Sequence, residues 1–178
     1  MEHHAFVFDY DAFFAELMPV LKSTLSLQNV EPLQDFIDSN VRHLASPLDG
    51  TPLDALWRDA LLRPDIDDYG ALALTRFYSP VDDVGLLAEW DDLWDFLEQY
   101  GLAEIMLGTP LSRGLVGFYP SGDYSYLQSP EQVTDNLKRL EELYKDNLEI
   151  DNEIDELVTM FQRAARALKG LYITLQSA

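Results

Sequence analysis

A chain of 178 residues with 32 Asp+Glu against 12 Lys+Arg carries a formal net charge of −20, while its 47% apolar and 12% aromatic content is that of a folded globular protein. Collagen-like, coiled-coil and disordered classes are thereby excluded. The absence of cysteine excludes disulfides, thiolate metal sites and a cysteine nucleophile, and the acidity opposes binding to nucleic acid or anionic lipid, both polyanions.

No apolar run approaches the roughly 18 residues of a spanning helix. The opening Met1-Glu2-His3-His4 lacks the basic start and apolar block of a signal peptide. The expectation is a soluble, cytoplasmic protein without membrane association, folded as one domain over 1–178. Its acidic side is concentrated in 65–98, where ten carboxylates face the single Arg76.

In chain order, Phe6, Phe8 and Tyr10 alternate with Val7 and Asp9, which predicts a strand over 5–10. From Asp11, a possible cap, Phe14, Leu17, Met18, Leu21 and Leu25 follow helical spacing. Pro19 must kink that helix or set its true start. A second helix is predicted from about Pro32 to Ala45. Thr51-Pro52-Leu53-Asp54 and Ser129-Pro130-Glu131-Gln132 each offer a hydroxyl cap, a proline in the first turn and an acceptor at the third position, so both are read as helix starts.

The stripe Leu86, Leu87, Trp90, Leu93, Trp94 and Leu97 predicts a helix over 84–100, with Asp91, Asp95 and Glu98 on another face and Gly101 as its left-handed end. Strands over 115–119 and 124–127 flank the turn Pro120-Ser121-Gly122-Asp123. Two helices, about 130–147 and 153–169, precede an apolar strand over 171–175. Trp90, Trp94, Leu97, Phe161 and Leu168 are expected in the core. The fold class is α+β and mostly helical, with five to seven helices and one small sheet of three or four short strands, the first and last strands lying in that sheet.

Chemistry-bearing motifs are few. Among the three histidines, His3 and His4 read as an exposed terminus and His43 as a half-buried structural residue. Asp65-Ile66-Asp67-Asp68-Tyr69-Gly70 fails as a calcium loop, because Tyr69 stands at its fifth position and Arg76 at its twelfth. No phosphate-binding glycine loop, nucleophile elbow or His-Glu-x-x-His helix occurs. No metal and no cofactor are expected.

Two functional readings remain. In the first, the chain is an acidic protein-binding module that occupies a basic protein surface, in the manner of a small immunity-type neutraliser. Asp91, Asp95 and Glu98 would steer association, and Tyr124 and Tyr126 would anchor it. In the second, a small ligand or substrate is held by Arg113, Tyr119, Asp123 and Tyr126, with arginine gripping an anionic group and aspartate or tyrosine moving protons.

Overall fold

In the computed structural model, which describes residues 1–61, 64–120, 124–146 and 154–177, the chain ends meet in one sheet. Strand β1 (Glu2–Phe8) lies antiparallel to β4 (Gly170–Gln176), with Glu2 opposite Gln176 and Phe8 opposite Gly170. On its other side β4 pairs with β3 (Tyr124–Gln128), and β3 with the two-residue β2 (Thr109–Pro110), giving the antiparallel order β1-β4-β3-β2. Together with seven α-helices among the described residues, this is the mostly helical α+β fold that the periodicity predicts.

Successive strand residues face opposite sides, and here both sides are covered. Ala5, Leu171, Ile173 and Leu175 pack against α5 (Trp90–Glu98), α6 (Pro130–Asp146) and α7 (Asp155–Arg166) through Leu93, Leu97, Leu140 and Phe161. Phe8, Tyr172 and Leu127 pack the other way, against Phe13, Leu21, Ile37 and Leu74. Those residues come from α1 (Tyr10–Glu16), α2 (Met18–Leu27), α3 (Glu31–Asn40) and α4 (Ile66–Leu74). The central β4 is consequently buried at every residue but Gln176, which explains its near-continuous apolar sequence.

Several boundaries differ from the sequence reading. Asp9, not Asp11, caps α1, accepting from Ala12 N. The long first helix is two helices that meet at Leu17, and Pro19 sits in the first turn of α2, where its missing N–H leaves no ladder gap. Helix α3 stops at Asn40, and a 3₁₀ turn at Val41–His43 leaves His43 exposed.

Thr51-Pro52 starts no helix. Ser46 N donates to Thr51 O at 2.8 Å, Asp49 accepts from Thr51 N, and Pro52 bridges Ala45 in extended conformation. At the second site the capping pattern holds: Gln132 N donates to Ser129 Oγ at 3.1 Å, and Ser129 N donates to Gln132 Oε1 at 2.9 Å. Helix α4 is capped the same way by Asp65 and Asp68, so that acidic run is a capping box.

The expected strand at 115–119 is not formed. Leu115 and Phe118 close a turn, and β2 takes the place beside β3. Residues 121–123 of the predicted hairpin turn lie outside the described residues. Leu168 is 84% exposed, because α7 ends at Arg166 and Leu168 turns left-handed at φ +56°. Trp94 is half-buried, while Trp90, Leu97 and Phe161 are in the core. Among the described residues no helix is long and apolar enough to cross a membrane.

Candidate functional site

Helix α5 starts at Trp90 rather than Val84, because the segment before it is used as an edge cover for β1. Val84 N donates to Ala5 O, while Leu87 and His3 exchange backbone bonds at 2.9 Å each. Gly85 permits the approach, since a Cβ there would collide with the backbone of His3 and Ala5. The Asp83 carboxylate fastens the two segments, accepting from Ala5 N at 3.0 Å, from Gly85 N at 2.8 Å and from His4 Nδ1 at 2.6 Å. An exposed sheet edge is thereby closed.

His3 is fully buried at this junction, against the expectation of an exposed terminus. Its Nε2 donates to Met106 O at 3.0 Å, and its Nδ1 accepts from Leu86 N at 3.3 Å, which fixes a neutral tautomer. Burial pushes its pKa below the ordinary 6.5, against the opposing pull of the Met106 carbonyl and Asp83. The imidazole stacks on Trp90 at 6.4 Å, and Trp90 Nε1 donates to Met1 O at 2.9 Å. The base of α5 is thus held by buried polar bonds.

From that base α5 exposes Asp91, Asp92, Asp95 and Glu98, and it contains no basic residue. Among the described residues none of these carboxylates forms an ion pair. Elsewhere acids do find partners, as in Asp38–Arg58, Glu104–Arg139 and Asp9–Lys169. Asp91 and Asp92 gain from the positive end of the helix dipole, but Asp95 and Glu98 lie toward its negative end. Asp91–Asp95 and Asp92–Asp95 are also like-charge pairs at repelling helical spacings. Gly101 at φ +65° then ends the helix as the sequence predicts, with Leu102 N donating to Leu97 O.

Beside this row Trp90, Asp91, Trp94, Asp95 and Leu107 line a shallow cleft of about 370 Å³. The two indoles meet edge to face, 6.0 Å apart at 72°. Aromatic faces with two carboxylates at the lip form an environment suited to an ammonium or guanidinium head, through cation–π and charge-assisted contacts. The sequence reading assigned both tryptophans to the core. The available signal was the Trp-Asp dipeptide repeated four residues apart, which places both residue types on one side of a helix.

The other expected residues lie elsewhere. Tyr119, Tyr124 and Tyr126 come together, with Ser112 and Phe118, to line a second cleft of about 250 Å³. Tyr119 and Tyr124 are exposed, and Tyr126 is half-buried. Burial, reinforced by Tyr124, pushes the Tyr126 phenol above its ordinary range. Arg113 ends a 3₁₀ turn, exposed, and is not among the residues lining this cleft. Asp123 lies outside the described residues. The two clefts share no residue.

Comparison with family models, with curated proteins and with solved structures finds no match.

Proposed function

We propose that this chain is a protein-binding module that docks helix α5 on a basic surface of another protein, neutralising a face that would otherwise attract a polyanion. The observation that carries this reading is the carboxylate row of α5, without an ion pair among the described residues, beside the Trp90–Trp94 cleft. Asp91, Asp95 and Glu98 steer the encounter, and a lysine or arginine of the partner enters the cleft against Trp94. Tyr124 supplies a further exposed anchor.

Any polycation binds a chain of −20 to some degree, so the test compares two charge-matched variants against a nona-arginine peptide. One carries Asp91→Asn, Asp95→Asn and Glu98→Gln; the other carries Asp135→Asn, Glu141→Gln and Glu142→Gln on the exposed face of α6. The α5 variant is expected to slow association strongly at low salt, and the α6 variant much less. Quenching of tryptophan fluorescence by the peptide should disappear in Trp94→Ala. Equal slowing by both triple variants would overturn the assignment to α5.

A further inference from the structure

Elsewhere in the chain stands a completed version of the arrangement that α5 leaves open. Trp57 is buried, and Arg58 lies over its indole, the guanidinium carbon 5.1 Å from the ring centroid. The same guanidinium donates to Asp38 Oδ2, in α3, at 2.7 Å, and Trp57 Nε1 donates to Asp38 Oδ1 at 2.9 Å. Indole, carboxylate and guanidinium thus close one unit. In it the arginine offers its flat face to the ring and its N–H edge to the acid.

Helix α5 carries the indole and the carboxylates of such a unit without the cation. Trp94 is half-buried and lines the cleft together with Asp91 and Asp95. Asp91 lies three positions before Trp94, a spacing that makes helical neighbours, and Asp95 follows it directly. Among the described residues, cations stand over Trp57 and Phe77 alone, and both cations are arginines. Trp90 and Trp94 touch edge to face, so no cation fits between them. An entering cation lies on the indole surface that Trp90 leaves uncovered.

The chemistry of this place distinguishes the two basic side chains. Its floor is apolar, made by Trp90, Trp94 and Leu107, and the carboxylates stand at the lip. A lysine ammonium is a compact, strongly hydrated charge that gives up water on such a floor and bonds only towards the lip. A guanidinium is more weakly hydrated, so it lies flat on an indole while its edge donates to a carboxylate. Only arginine uses floor and lip together.

We propose that the α5 cleft is selective for arginine, its guanidinium laid on Trp94 and its N–H edge donating to Asp91 or Asp95. Arginine selection rests on the docking proposed for α5 and names the side chain that the partner brings.

Nona-arginine and nona-lysine carry equal charge and test the choice by calorimetric titration at low salt. The parent should bind nona-arginine about three- to tenfold more tightly than nona-lysine. Trp94→Ala should bring the two dissociation constants within about twofold of each other, while the α6 triple variant should keep the parental preference. Equal affinities in the parent, or a preference that survives Trp94→Ala, would overturn arginine selection and leave α5 docking standing. Docking fails separately, through equal slowing of association by the α5 and α6 triple variants, and arginine selection then falls with it. If Trp94→Ala loses its folded spectrum, Trp94→Leu replaces it, filling the apolar space without an aromatic face. Loss of the preference in that variant supports the proposal, and its survival overturns it.

Discussion

His3 Nε2 donates to Met106 O across 103 positions of sequence, joining the first strand to the turn that follows α5. The opposite ring nitrogen, Nδ1, accepts from Leu86 N, a bond that only the neutral imidazole can make. Protonation would place a second N–H against that amide and a charge in a fully buried site.

The folded pKa of His3 therefore lies below the unfolded 6.5, so the unfolded chain takes up the proton first. Stability attributable to His3 is complete above that unfolded value and falls as pH drops through it, until the folded histidine protonates as well. The loss cannot exceed about 1.4 kcal/mol per pH unit for one group. Urea denaturation of the parent and of His3→Gln between pH 7.5 and 5.5 measures it by difference. The parent should lose more stability than the variant over that interval; parallel curves would show that His3 does not titrate in this way.

The two Ser/Thr-Pro sites should respond differently to the loss of their hydroxyls. Ser129→Ala removes one half of a reciprocal cap and should cost about 1 kcal/mol. Thr51→Ala touches no helix start and should cost clearly less. Denaturation midpoints of the two variants, read side by side, decide the matter.

Helix α5 should be more stable without its own charges. Asp95→Asn with Glu98→Gln removes repulsion and an unfavourable dipole contact while leaving Trp90, Leu93 and Leu97 in place. The expected gain is about 0.5 kcal/mol, larger at low salt. A rise in melting temperature accompanied by slower association with nona-arginine would show that the row is kept for binding. A fall in melting temperature would show that these carboxylates hold the fold.

Phe161→Ala empties a fully buried site between α7 and the sheet and should cost about 3–5 kcal/mol. Leu168→Gly should act in the opposite sense. The leucine is mostly exposed and held at φ +56°, where glycine rests without strain, so about 1 kcal/mol should be gained. Calorimetry of the two variants checks both signs.

What the sequence revealed follows from the range of each signal. Period-two alternation around Ala5 and the helical spacing of α6 and α7 are local signals: α6 forms where it is predicted, β1 runs over 2–8 rather than 5–10 because Tyr10 already opens α1, and α7 ends at Arg166, short of the expected 169. Reading that same alternation two residues further back would have put His3 on the face of Ala5. The extended path of 84–87 was hidden, because it depends on hydrogen bonds to a strand some 80 residues away. Leu168 was misread for a related reason: helical spacing continued past the point where the chain turns left-handed. The α5 carboxylates were legible as a row, yet the lack of ion pairs to them among the described residues emerges only when the neighbouring elements are in place.

The strand that joins the two halves of the sheet, β4, is the last of the four strands in sequence order. Until residues 170–176 have been made, β1 has no partner on its inner side, and neither helical layer has a floor to close on. A newly synthesised chain therefore waits, with Phe8 and Ala5 uncovered, for distant pairing partners in Gly170 and Ile173. Contacts of such long range form slowly, and exposed apolar strands are the ones that aggregate during the delay. Mutual repulsion between chains of −20 opposes that aggregation, giving the acidity a role in folding itself.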